Sequence, residues 1–168
     1  FDAHKWLNVP YDSGIAVCAH PRAHRSAMLG RADYLPPTPG ERDAFDWTPE
    51  ASRRARAFAV YAAVRSLGRS GVRDLVERCC ALARRCADGL AAIPGVEVLN
   101  SVELNQVLLR FRTDEDTHRI LEHVQQGGVA WMGATNWEGR PAIRISVSSW
   151  ATSETDVDRT VQAFVDAA

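Results

Sequence analysis

The stretch FDAHKWLNVPYDSG at the start of the sequence contains a side chain, Lys5, that could act as a nucleophile. Trp6 and Leu7 follow it with apolar bulk. An amine in apolar surroundings loses its charge more easily, and the neutral amine is the form that can bond to a carbonyl carbon. A lysine is by default exposed and solvated. The local residues therefore leave a reactive and an ordinary surface lysine both open.

A second candidate, Arg144, lies in the alternating stretch AIRISVS at 142–148. Ile143, Ile145 and Val147 would point to one face of a strand, and Arg144 would point to the other face with two serines. The planar guanidinium fork of arginine can pair with a carboxylate through two parallel hydrogen bonds. A solvated strand arginine is the alternative interpretation.

The positions of glycine and proline, together with the spacing of apolar residues, predict the helices, strands and loops that would position these side chains. The apolar run at 15–19 is typical of a short buried strand. Residues 34–49 contain four prolines and a glycine, which indicates a long loop without regular elements. Helical spacing of apolar residues starts at 50, and Gly68 is expected to stop that helix. A second helix follows, with a continuous apolar stripe at Val72, Leu75, Val76, Cys79, Leu82, Ala83, Cys86 and Leu90.

The rest of the sequence alternates between strand-like and helix-like patterns. Ser153 is expected to cap the last helix, whose buried face would be Val157, Val161, Phe164 and Val165. The predicted elements are strands at 96–99, 106–112, 129–134 and 142–148, a helix at 114–126, and a turn at 138–141.

Composition excludes several classes of protein. The formal net charge is -1 over 168 residues, so no overall attraction to nucleic acid is expected. No apolar run approaches the 18 or more residues that a membrane span requires. The four cysteines form no CxxC pattern, which favours reduced thiols and a cytoplasmic location. His20 and His24 have helical metal-ligand spacing, but Pro21 lies between them and no third ligand is evident, so we expect no metal site.

Several segments in the same order resemble the group II, pyridoxal-phosphate-dependent amino-acid decarboxylases, which include the aromatic-amino-acid, glutamate and histidine decarboxylases. These segments are DAHKWLNVPYDSG, SRRARAFAVYAAVRSLGRSGV, LNQVLLRF and AIRISVSSWATSETDVD. The resemblance implies an α/β fold of the fold-type-I kind, of which this chain would be a C-terminal portion. Residues 1–87 would be the end of the cofactor-binding large domain, and residues 88–168 would be the small α+β C-terminal domain.

The same resemblance implies the roles of individual residues. Lys5 would bind pyridoxal 5'-phosphate covalently, with His4 and Asp2 near the phosphate end of the cofactor. Arg144 would bind the carboxylate of an L-amino acid substrate. The implied activity is decarboxylation to an amine and CO2, in a homodimer.

The loop at 34–49 corresponds in that family to a mobile catalytic loop with a tyrosine that donates a proton. Counted back from Arg53, the tyrosine position falls near Ala44 and Phe45, and the loop's own tyrosine is Tyr34 at its start. An aldehyde-forming relative, in which phenylalanine replaces this tyrosine, is therefore an alternative. A catalytically inactive module with the same fold is another, although such a module would have no use for Lys5.

Overall fold

The computed structural model describes residues 1–28, 40, 42–50 and 52–168. The order of elements is α1 (Ala3–Trp6), α2 (Pro21–Met28), a 3-10 turn (Ala44–Trp47) and α3 (Arg56–Ala91). The C-terminal elements follow as β1 (Glu97–Val98), β2 (Gln106–Arg110), α4 (Asp114–Gln126), β3 (Gly133–Trp137), β4 (Arg140–Ser146) and α5 (Glu154–Ala167). No helix in this part of the chain is both long and apolar enough to cross a membrane.

Helix α3 connects the N-terminal segment to the sheet. At Gly68 the backbone has φ 64° and ψ -174°, a conformation that interrupts the helix and that glycine adopts without a steric penalty. The predicted break at Gly68 is therefore confirmed, although helix continues directly on its far side and begins at Arg56 rather than at residue 50. The proposed domain boundary at 87/88 falls inside α3 and stays a prediction.

Within the described residues, four strands form one antiparallel sheet in the order β1-β2-β4-β3. Val107 lies opposite Ile145, and Leu109 lies opposite Ile143, so these four side chains share a face. The second half of α3, together with α4 and α5, covers that face. Arg144 belongs to the opposite face of the sheet, where it lies across from Leu108 of β2 and Gly133 of β3.

The core consists mainly of the predicted apolar stripe of α3 and the inward side chains of the sheet. Leu90, Val107, Leu109, Ile143 and Phe164 are fully buried. Each such side chain contributes about 1.5–3 kcal/mol when it leaves water. All four cysteines are free thiols, and burial raises the pKa of Cys86 to about 11, so this thiol stays protonated at neutral pH.

The predicted starts of α4 and α5 are confirmed. Each is set by a capping residue that directly precedes the helix in the sequence. Thr113 accepts a hydrogen bond from the backbone of Asp116, so α4 begins at Asp114 as predicted. Ser153 and Asp156 form a reciprocal capping box at the start of α5.

Other predictions were wrong in part, including the turn expected at 138–141, because β4 already begins at Arg140. The run at 15–19 is not a strand, and Val17 is 87% exposed, because the described residues offer no neighbouring strand to pair with it. The strand expected at 129–134 is instead β3 at Gly133–Trp137, where the turn at Glu138 and Gly139 fixes its pairing with β4.

Val165 is exposed rather than buried. The loop at 34–49 contains a 3-10 turn, in which Asp46 is buried and paired with Arg25.

We expect Gly89→Ala to destabilise the fold by about 1–3 kcal/mol, because it overpacks the contact between α3 and α5. A Cβ at residue 89 would lie 2.9 Å from Cγ2 of Val161, whose branched side chain has little rotamer freedom. The measurement is chemical denaturation of both proteins. Gly127→Ala is the control, since its nearest new contacts are at 3.5 Å and its φ is helical. Equal stability of the two variants would contradict this account of the packing.

Candidate functional site

Lys5 lies in α1, a single helical turn that buries Ala3 and directs the lysine side chain outward. The side chain is 66% exposed, and its Nζ forms an ion pair of 2.8 Å with Oδ2 of Asp2. The apolar burial of this amine that Trp6 and Leu7 suggested is therefore not found within the described residues. Helical spacing explains the pair, because residues 2 and 5 lie on the same side of one turn.

The ion pair shifts the protonation of both partners. The hydrogen bond from Lys5 lowers the pKa of the Asp2 carboxyl below 3.8. The hydrogen bond to Asp2 raises the pKa of the Lys5 amine above 10.5, and the positive charge of Arg144 lowers it by a smaller amount. Lys5 is therefore held as an ammonium ion, and Arg144 is close enough for its charge to affect Lys5.

His4 has a buried side chain with a defined tautomer. The backbone N–H of Ser13 donates a hydrogen bond of 2.9 Å to Nδ1, so in the neutral ring the proton lies on Nε2. Nε2 is 3.8 Å from Oδ2 of Asp2, and the ring packs on Tyr11 with its centroid 4.0 Å away. The histidine can thus direct a ring N–H toward Asp2.

Two arginines, one just before α3 and one at its first residue, bind the turn that orients His4. Arg54 donates to the carbonyl oxygen of Tyr11 at 3.2 Å, and Arg56 Nε donates to Oδ1 of Asp12 at 2.7 Å. The backbone of Ser13 is fixed again by its carbonyl oxygen, which accepts from the N–H of Ala3 at 2.8 Å. Arg54 and Arg56 therefore contact the segment that contains Lys5 (residues 1–14, called the Lys5 segment below) directly.

Asn8 connects the Lys5 segment to the end of β4. Its Nδ2 donates to the carbonyl oxygens of Lys5 and Ser148, each at 2.7 Å, and its Oδ1 accepts from the N–H of Trp150 at 2.6 Å. Ser148 lies four residues beyond Arg144. These contacts bring the lysine and the arginine that sequence analysis selected to the same end of the molecule.

Arg144 lies on the exposed face of β4. Within the described part of the chain, no acidic side chain forms a salt bridge with it, whereas Arg140 of the same strand pairs with Asp114 at 2.8 Å. An arginine fork without a carboxylate partner can accept one from a small molecule.

The structure also shows residues that sequence analysis did not select as part of the site: Asn8, Ser13, Arg54 and Arg56. Asn8 and Ser13 belong to no local pattern that distinguishes them from surface residues, whereas Arg54 and Arg56 lie in the arginine-rich stretch SRRAR. One sequence signal does point to this site: Lys5 is the sole lysine among the 20 lysine and arginine residues. In a chain that otherwise uses arginine, this lysine stands out.

The remaining candidates do not add to the site. Tyr34 lies outside the described residues, and Ala44 and Phe45 belong to the 3-10 turn. The ring of His24 packs edge-on against Trp47, and His20 precedes α2. Among the described side chains, no group of three or more His, Cys, Asp and Glu residues could hold a metal ion.

The sequence matches the protein family described as "Pyridoxal-dependent decarboxylase conserved domain" over residues 1–113. A curated relative, 4-hydroxyphenylacetaldehyde synthase of Rhodiola rosea, is 25% identical over an alignment of 165 residues that covers 94% of this chain and 34% of the relative. The family match covers more than half of the chain and includes Lys5. The chain therefore belongs to the pyridoxal-dependent decarboxylase family.

Three solved structures share the fold of this chain. Mouse CSAD in apo form has a TM-score of 0.79 at 16% identity, covering 98% of this chain and 38% of that one. The Rhodiola rosea enzyme has a TM-score of 0.76 at 23% identity, covering 98% and 36%. Oryza sativa TDC with PLP and tryptamine has a TM-score of 0.75 at 18% identity, covering 84% and 33%. The predicted fold is confirmed, and the chain spans about a third of the length of these relatives.

The residues around Lys5 fit one end of pyridoxal phosphate. The amine is exposed, and Asp2 is its ion-pair partner in the described residues, so a carbonyl compound can reach it once that pair opens. Nε2 of His4 lies 3.8 Å from Oδ2 of Asp2, which is beyond hydrogen-bond distance but leaves the imidazole as a near neighbour of the carboxylate. An anionic carboxylate is a poor direct neighbour for phosphate, so Asp2 fits better as a group that orients the amine and the imidazole.

We expect Asp2→Asn to lower the pKa of the Lys5 amine toward its ordinary value, because the hydrogen bond and charge of Asp2 raise it. The amine then loses its proton at a lower pH, so its acetylation by acetic anhydride should also begin at a lower pH. The measurement is the mass of the peptide containing Lys5 across a pH series.

Asp12→Asn is the matched control for this experiment. It removes a nearby carboxylate that pairs with Arg56 instead of Lys5. An unchanged acetylation midpoint in Asp2→Asn, or the same shift in both variants, would contradict the assigned ion pair.

Proposed function

We propose that the protein containing this chain is a pyridoxal-phosphate-dependent carboxy-lyase that converts an L-amino acid to its amine and CO2. The main support is the family match over residues 1–113, which includes the chain's single lysine. The hydrogen bonds of Asn8 support this function further, because they join the Lys5 segment to the loop that follows β4, the strand that contains Arg144.

In this proposal Lys5, His4 and Asp2 bind the cofactor and Arg144 binds the substrate. Pyridoxal phosphate supplies the conjugated ring that accepts the electrons of the broken carbon–carboxylate bond. Lys5 provides the amine that attaches the cofactor. Asp2 orients that amine, and His4 Nε2 holds a proton near Asp2. Arg144 binds the substrate carboxylate and so fixes the orientation of the bond that breaks.

The finer features of the proposal follow the family. The protein would be a cytoplasmic homodimer, with the small domain at 88–168 and the large-domain end at 1–87. The free, reduced state of all four cysteines is consistent with a reducing compartment.

One observation favours a second function. The curated relative that matches 94% of this chain is an aldehyde synthase. The tyrosine position of the loop, by the count from Arg53, is Ala44 or Phe45 in this sequence. In the alternative reaction the amino acid, O2 and water yield an aldehyde, CO2, ammonia and hydrogen peroxide, so that O2 is the oxidant and water supplies the aldehyde oxygen.

Product analysis of the complete gene product distinguishes the two functions. The protein is loaded with pyridoxal phosphate and given L-tyrosine, L-tryptophan, L-glutamate or L-histidine. Amine and CO2 without O2 uptake would support the carboxy-lyase, whereas aldehyde and peroxide would support the alternative. Borohydride reduction followed by peptide mapping tests the cofactor site, and a label absent from Lys5 would refute both functions.

We expect Arg144→Ala to raise KM for the amino acid by about 10- to 150-fold, the equivalent of about 1.5–3 kcal/mol for a lost charge-assisted interaction. Steady-state kinetics on the loaded complete protein provide the measurement. Arg140→Ala is the control, because Arg140 lies on the same strand but is neutralised by Asp114. Unchanged kinetics in Arg144→Ala would show that the substrate carboxylate binds elsewhere.

A further inference from the structure

The side chain of Asn8 uses its hydrogen-bonding groups on two distant parts of the chain. Its two N–H bonds are divided between the carbonyl oxygens of Lys5 and Ser148, which are 2.7 Å away in both cases. Its oxygen accepts from the N–H of Trp150 at 2.6 Å. The partners require a nitrogen on one side of the amide and an oxygen on the other, which fixes its orientation.

The backbone of Asn8 is adapted to this contact. Its φ is 51°, in the left-handed region that asparagine tolerates better than most residues with a side chain. Asn8 follows Leu7, the C-terminal cap of α1, and its amide contacts the loop that follows β4. Glycine would accept the backbone conformation but could not make the contacts.

The loop beyond β4 is held from its other side as well. Arg78 of α3 donates to the carbonyl oxygens of Trp150 and Thr152, at 2.8 and 3.1 Å. Residues Asn8, Arg78 and Trp150 line one cavity of about 350 Å³ between the Lys5 segment, α3 and this loop. The loop is therefore fixed relative to α3 by Arg78 and relative to Lys5 by Asn8.

We propose that Asn8 is a positioning residue that sets where Arg144 stands relative to Lys5. This inference rests on the proposed function, in which the two side chains bind the substrate carboxylate and the cofactor. Asn8 contacts the backbone of Lys5 itself and of Ser148, which lies two residues beyond the end of β4 and four residues beyond Arg144. A small displacement of a group that orients the substrate is sufficient to slow a reaction.

The decisive variant is Asn8→Gly in the complete gene product, because it removes the three side-chain hydrogen bonds without straining the backbone. Asn100→Ala is the matched control. Asn100 also makes three hydrogen bonds, to Ser101, Gln106 and Leu108, but all of them join neighbouring parts of the β1–β2 connection.

The first readout requires neither cofactor nor substrate. Hydrogen–deuterium exchange is followed in peptides covering residues 147–152, which include the Trp150 amide that Asn8 accepts from. We expect exchange there to become about tenfold faster in Asn8→Gly and to stay unchanged in Asn100→Ala. Unchanged exchange in Asn8→Gly would show that the side-chain hydrogen bonds of Asn8 do not restrict the loop, and it would overturn the inference.

The second readout separates positioning from general loss of stability. The probes are L-tyrosine and tyramine. If another amino acid has the highest turnover in the product assay, that amino acid and the amine formed from it replace them. In Asn8→Gly, KM for the amino acid should rise about tenfold, while inhibition by the amine, which has no carboxylate, should stay within about twofold. Equal weakening of both, or of neither, would overturn the positioning role.

The two proposals fail in different ways. If the wild-type protein has no activity and no label at Lys5, the proposed function is wrong and the positioning role falls with it, whatever the exchange data show. If the wild-type protein is active and labelled but Asn8→Gly matches Asn100→Ala in both readouts, the proposed function stands and the role of Asn8 is wrong.

Discussion

Burial of the apolar stripe of α3 is the interaction on which the rest of the structure depends. Cys86 and Leu90 of this stripe are almost fully buried with Val107 of β2 and Phe164 of α5. At about 25 cal/mol per Å² of apolar surface, this contact supplies the main driving force for folding the C-terminal part. It also fixes which face of the sheet the helices cover, and Arg144 lies on the other face.

The candidate site is held by a different kind of interaction. Few apolar side chains of the Lys5 segment are buried in the described residues, namely Ala3 and Val9. Its position comes instead from polar contacts: Arg54 and Arg56 bind the turn at Tyr11 and Asp12, and Asn8 binds the loop after β4. Hydrogen bonds have strict distance and angle requirements, so they specify geometry more narrowly than apolar packing does. A site that must orient a small molecule benefits from that restriction.

Sequence reasoning predicted local features well and distant ones poorly. The capping residues Thr113 and Ser153 lie next to the helices they begin, so α4 and α5 were correct almost to the residue. The run at 15–19 was wrong because a strand depends on a neighbour that no local pattern reveals. The same limitation explains why the role of Asn8 was missed. Two of its side-chain partners, Ser148 and Trp150, are separated from it by 140 and 142 positions in the sequence.

The sequence by itself determined the family, the identity of Lys5 as the candidate lysine and the alternation that leaves Arg144 on a polar face. These are properties of residue type and short-range order, which the linear chain contains. Only the tertiary structure decided that Lys5 is paired with Asp2, that Ser13 sets the tautomer of His4, and that Asn8 joins the backbone of Lys5 to Ser148, four residues beyond Arg144. Each of these depends on distances of a few ångströms between segments brought together by folding, and a sequence does not state such distances.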